Sequence, residues 1–260
     1  MDTSDTTKTG GPISAFITNL GKYNEGELVG QWHSFPTTPE EIQKTLKEIG
    51  IGSRYEEFFI TDYDTDIKGV YDVLGEYTSL DELNYLAAKM EEMSDWEVGQ
   101  FEAAVELGDH SSDIAGLINL TENLDNFDYL QGVHDDSDLG YYWIEDSGVY
   151  DTKAIGNLSN YIDYERFGRD IRLEEGGMFT NNGYVANREG LDETYSGIED
   201  IPDEYRVFSM PDDAADLDAP VIPEKRPSAM EKLAAAKDTV AQRNAEKPET
   251  PKDKSRGPEL

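Results

Sequence analysis

Between Lys89 and Lys153 lie 63 consecutive residues without one Lys or Arg, and they contain 10 Asp and 7 Glu. An exposed helix face normally mixes signs, because Glu and Lys at i and i+4 stabilise it by roughly 0.2–0.5 kcal/mol while like charges cost a similar amount. Glu102 and Glu106 stand at that spacing with no basic residue near them in sequence. Extended back to Glu56, the window 56–152 holds 26 acidic residues against only Lys68 and Lys89, a net of −24. The 260-residue chain as a whole is −34, divided into −36 on residues 1–220 and +2 on residues 221–260. The acidity thus belongs to the body, whereas adaptation to high salt would spread it along the whole chain. Its sign rules out electrostatic binding to nucleic acid or to an anionic membrane and leaves basic partners. Because 37% of residues are hydrophobic and 10% aromatic, well above a solvating acidic tail, most of the chain is expected to fold.

Several chemistries lack their residues. Cysteine is absent, and His33, His110 and His134 are too scattered for a paired-histidine motif. Asp62, Asp64 and Asp66 reproduce the opening of a calcium-binding loop, but Ile67 replaces the required glycine and Val73 the required glutamate. Asp135, Asp136 and Asp138 lack the closing glutamate too. Paired carboxylates could serve glycoside or phosphoryl chemistry, yet no nucleophile elbow, P-loop or phosphate cradle accompanies them. Gly168 and the Gly176–Gly177 pair read as turn and cap glycines, and Gly21 and Gly26 as serving the first turn. No cofactor, metal or catalytic residue is expected. Without an 18-residue apolar run or a signal-like start, the chain is read as soluble and cytoplasmic.

Residues 13–20 and 27–35 are rich in β-branched and aromatic residues around a turn-forming GKYNEG, a hairpin-like pair. Thr38, Pro39 and Glu41 start a helix over 39–49, and 56–63 reads as a third strand. Capping boxes at Ser79–Glu82 and Ser94–Glu97 open two helices, the second with Trp96, Ala103, Ala104 and Leu107 inward. Ser112 is expected to cap a third, and a fourth begins near Asp136 with Leu139 and Trp143 inward. Residues 157–174 read as helical, and Asn182–Gly183 as a hairpin turn. The expectation is an elongated α+β protein of three small domains. A flexible start (1–12) precedes an N-terminal sheet with one helix (13–75), a central acidic helical bundle (76–147) and a C-terminal mixed α/β domain (148–210). Residues 211–260 form a linker and disordered tail, with a marginal helix behind Ser228–Glu231.

So much unrelieved charge suits presentation to a positive surface. Duplex DNA carries about one charge per 1.7 Å, so −24 matches roughly 41 Å, or about 12 base pairs, if every charge faced outward. The candidate phosphate-mimicking carboxylates are Asp95, Glu102, Glu106, Asp109, Asp113, Glu122, Asp125, Asp128, Asp135, Asp136, Asp138, Glu145 and Asp146. The alternative is a generic acidic module that inhibits some other basic, DNA-binding protein.

FITNLGKYNEGELVGQW (16–32) with the following TPEEIQKTLKEIGIG, LDELNYLAAKMEEMSDWE, and NYIDYERFGRDIRLEEGGMFTNNGYV (160–185) resemble the ArdA-type antirestriction proteins of conjugative plasmids and transposons. The resemblance spans about residues 13–187. It implies a non-enzymatic DNA mimic without cofactor, dimerising through its C-terminal domain and filling the DNA-binding groove of type I restriction-modification enzymes. Tyr161, Tyr164 and Phe167, aromatic at i, i+3 and i+6, are the candidate dimer contacts, against a reading as ordinary core.

Overall fold

A computed structural model describes residues 10–208. The tail and its marginal helix, and residues 1–9, lie outside the described residues. The chain is mixed α and β, with two three-stranded antiparallel sheets in the orders β2-β1-β3 and β4-β6-β5.

The first sheet forms as the alternation dictates. β1 (Ile13–Asn19) fully buries Ile13, Ala15 and Ile17 on one face, as a period of two requires. After a short α1 (Leu20–Asn24) in place of a simple turn, β2 (Gly30–Phe35) pairs along it, Ile13 opposite Phe35. Gly26, at φ +89°, closes this connection, whereas Gly21 lies against the Tyr55 ring, where a Cβ would collide. α2 (Pro39–Glu48) is capped by Thr38, whose side chain accepts from the Glu41 amide, and it buries Ile42, Thr45 and Leu46. Truncating Leu46 to alanine would cost about 3 kcal/mol. β3 (Phe58–Thr65) completes the sheet, so the Asp62–Asp64 repeat lies on a strand and not in a loop.

A one-turn α3 (Val70–Val73) leads into the helical middle. α4 (Leu80–Glu91) buries Leu80, Leu83, Leu86, Ala87 and Met90 on one face. Its expected capping box does not form: Ser79 makes no side-chain cap, and Glu82 accepts instead from the Tyr195 hydroxyl. The Ser94–Glu97 box at the start of α5 (Asp95–Leu107) is complete. α5 packs through Gln100, Phe101 and Ala103–Val105, while Trp96 turns outward, half exposed against the Tyr129 ring. α6 (Ile114–Glu122) is capped by Asp113, not by Ser112. A 3₁₀ turn then delivers β4 (Phe127–Gln131), a strand inside the segment expected to be helical throughout. Its Phe127 and Tyr129 are buried on one face. Five residues in alternation are a weak local signal, and the partner that makes them a strand lies more than fifty residues downstream.

α7 (Asp136–Tyr141) buries Leu139 and continues as a π turn, Tyr142–Asp146, in which Ile144 is buried and Trp143 half-buried. The helix expected over 157–174 is broken. α8 (Thr152–Ile155) and a 3₁₀ segment (Gly156–Tyr161) precede α9 (Tyr164–Glu175). Gly168 is no turn glycine: it is buried mid-helix opposite Gly140 of α7, where a Cβ on either would overlap the other helix's backbone. β5 (Met178–Phe179) and β6 (Gly183–Asn187) form the expected hairpin, and β6 joins β4.

Residues 188–208 follow as a strap with two 3₁₀ turns. One apolar cluster runs from Ile13 through α2 and α4–α6 to Tyr195, Ile201 and Val207 of this strap. A smaller cluster joins Val133, Leu139, Tyr184 and Ala186. None of the described helices is long and apolar enough to cross a membrane.

Candidate functional site

The 63-residue run meets cations only through tertiary contacts. Lys89, on the last turn of α4, pairs with Glu122 at the end of α6. Arg172 of α9 reaches back to Asp136, its Nε 2.8 Å from Oδ1, and Arg188 beyond β6 places Nε 3.1 Å from Asp128 Oδ2. Burial works to lower the Lys89 ammonium, but its hydrogen bond and charge attraction to Glu122 outweigh it and hold it above the usual lysine value. The hydrogen bond to Asp136 likewise raises Arg172. Glu122, Asp128 and Asp136 are therefore partly neutralised, which no count along the chain foretold.

Five more of the expected carboxylates answer neutral donors and keep their charge. Asp113 accepts from the Gly116 amide at 2.8 Å and Asp135 from the Asp138 amide at 2.8 Å, each starting a helix. Those sites also place an anion at the positive end of the helix dipole. Asp138 accepts from the His134 amide, Glu145 from the Tyr164 hydroxyl at 2.7 Å, and Glu102 from the Lys68 amide and the Asn182 side chain. The remaining five, Asp95, Glu106, Asp109, Asp125 and Asp146, are exposed. Among the described residues their carboxylates make no hydrogen bond or ion pair. They sit at the start and end of α5, in the 3₁₀ turn after α6 and at the end of the π turn.

The strap anchors were not anticipated. Asn119 Oδ1 accepts from the Thr194 and Tyr195 amides at 2.9 and 2.8 Å, and its Nδ2 donates to the Tyr195 carbonyl. Asn123 exchanges two hydrogen bonds with the Asp192 backbone. Asp81 accepts from the Val207 and Phe208 amides, and Asn84 bridges the Thr37 amide to the Tyr205 carbonyl. All four are nearly fully buried. Buried polar groups need partners, so their place on otherwise apolar helix faces, at i, i+3 in α4 and i, i+4 in α6, was a signal that something polar had to cover them.

The three candidate interface aromatics do not form one stripe, because α9 begins at Tyr164 and Tyr161 lies in the preceding 3₁₀ segment. Tyr161 is 85% exposed. Tyr164 stacks obliquely on Tyr141 with centroids 5.5 Å apart, and Phe167 meets Tyr150 edge-on at 5.8 Å. Around them Val149, Leu158 and Leu173 are all more than 60% exposed. They leave an unusual share of apolar side chain in water.

The arrangement offers many carboxylates, five of them oriented by neutral donors, and among the described residues no cluster of metal-ligating side chains. No curated protein matches the chain. The family model described as "Antirestriction protein (ArdA)" matches residues 15–186, from β1 to β6. With well over half of its length inside that match, ending just short of the strap, the chain belongs to the ArdA family of antirestriction proteins.

Proposed function

We propose that this antirestriction protein acts as a DNA mimic, its surface carboxylates taking the places of duplex phosphates in the DNA-binding groove of type I restriction-modification enzymes. It acts by occupancy, without turnover or cofactor. The observation that carries this reading is the set of carboxylates that keep their charge: five held by neutral donors and five exposed without an internal partner, in a stretch with no Lys or Arg of its own. A groove built to neutralise phosphates gains from such a surface the steering and salt dependence it has with DNA. We further propose that the working form is a homodimer joined through the exposed apolar side chains that lie between residues 149 and 173. Val149, Leu158, Tyr161 and Leu173 would leave water on pairing, at about 25 cal/mol per Å² of apolar surface covered.

Competition tests the first proposal. The purified protein is expected to displace duplex DNA from a type I methyltransferase, less effectively as salt rises. Binding that leaves the enzyme's DNA affinity unchanged, or absence of binding at low salt, overturns it. For the second, sedimentation should show a dimer that Tyr161→Asp with Leu158→Asp converts to monomer.

A further inference from the structure

Where no cation reaches a carboxylate, a neutral group can still orient it. Tyrosine hydroxyls do this repeatedly. Tyr71 donates to Asp62 Oδ1 at 3.3 Å, Tyr164 to Glu145 Oε1 at 2.7 Å and Tyr195 to Glu82 Oε1 at 2.8 Å. Two others are different in kind: Tyr55 shares Glu25 with Arg54, and Tyr184 meets Glu175 in a largely buried site near Arg188. For Asp62, Glu145 and Glu82, no ion pair joins the carboxylate among the described residues. The Tyr63 amide adds a second neutral bond to Asp62 at 2.9 Å.

A lysine or arginine would hold these side chains equally well but would cancel the charge. A phenol donates one hydrogen bond and stays neutral at pH 7. Asp62 raises the Tyr71 hydroxyl above the usual phenol range by its charge and its hydrogen bond, and the bond to Glu145 does the same for Tyr164. Both therefore remain protonated donors. An oriented carboxylate also loses less freedom when a partner engages it.

We propose that Tyr71, Tyr164 and Tyr195 are positioning residues of the acidic surface, each fixing the direction of one carboxylate toward a basic partner while leaving its full negative charge. This rests on reading that surface as the partner-binding face.

The test compares parent, Tyr71→Phe, Tyr71→Arg and Tyr164→Phe in displacing duplex DNA from a type I methyltransferase across a salt series. Tyr71 is half exposed, so both of its variants should fold, which thermal melting checks. Each phenylalanine variant should bind about five-fold more weakly with the parent's salt slope, because orientation is lost and charge is not. Tyr71→Arg should keep Asp62 in place yet flatten the slope by about one, because one phosphate equivalent is cancelled. The added guanidinium flattens the slope by its own charge in any case, so the phenylalanine variants, weaker at unchanged slope and melting temperature, decide the positioning role. If the parent displaces DNA but the phenylalanine variants match it in affinity, or lose slope as well, the positioning role is wrong while the mimic stands. Tyr71→Arg binding with the parent's affinity and slope also overturns it. A parent that displaces no DNA brings down the mimic reading and this one with it.

Discussion

The α4–α6 layer with its strap and the α7–α9 pair both carry excess carboxylate, and they are held together in different ways. In the α7–α9 pair, one arginine crosses the contact: Arg172 meets Asp136, while Asp135, Asp138 and Glu145 answer neutral donors. The glycine contact at Gly140 and Gly168 brings the backbones close, and apolar side chains around it stay in water. In the α4–α6 layer Lys89 pairs with Glu122, the strap pairs Arg188 with Asp128 and Arg206 with Asp203, and the contacts that join strap to layer are buried amides and hydroxyls. Neutral donors secure the structure there without spending negative charge. On the reading proposed above, the carboxylates of both regions make up the acidic face, and the exposed apolar side chains beside α9 are what would meet another copy.

The largest effect that would break this comparison is expected at Asn119. Asn119→Leu leaves two strap amides and a carbonyl unpaired in the interior, a loss of about 4 kcal/mol at 1–3 kcal/mol for each orphaned group. Chemical denaturation reads it, and a loss below 1 kcal/mol would show that the strap is peripheral.

Next is the charge itself. Replacing Asp95, Glu106, Asp109, Asp125 and Asp146 together by their amides should lower the salt slope of DNA displacement by about four and weaken it by about 100-fold. Single changes among them should give only small, graded losses. Collapse of activity from any one of these changes would point to a discrete site in place of a distributed surface.

Arg172→Met should act in the other direction. It removes a partly buried ion pair and its stacking on Phe179, costing about 1.5 kcal/mol of stability. DNA displacement should not weaken, since Asp136 regains its full charge. Reduced displacement with an intact dimer would erase the distinction between the two regions.

The smallest effect is a pH dependence at Glu175. Burial beside Tyr184 raises this carboxyl above its ordinary 4.5. The folded protein thus holds the proton more tightly than the unfolded chain. Its contribution to stability is complete below the ordinary value and is lost as pH rises through the raised one. Glu175→Gln should remove that loss. Melting temperatures of the two proteins measured from pH 4 to 7 give the difference.

How far the sequence could be read depended on the range of the interactions. α2 and the α5 capping box rest on partners a few residues apart and formed as their residues implied, and the first hairpin paired as its alternation implied, though with α1 in place of a simple turn. β4 and the break before α9 did not announce themselves. Phe127–Gln131 becomes a strand because β6 pairs with it, and α9 starts at Tyr164 behind Asp163, whose side chain caps it. The candidate carboxylates showed the same limit. Their abundance was visible along the chain, but nothing local told Asp125, which faces water, from Asp128, which meets Arg188.

By itself, the sequence determined the sign of the surface, the helices and strands with local caps and alternation, and the family resemblance, all properties of neighbours along the chain. Only the tertiary structure decided which carboxylates keep their charge. Lys89, Arg172 and Arg188 lie 33, 36 and 60 residues from the acids they meet, and a hydrogen bond or ion pair acts over a few ångströms of space whatever the distance along the chain.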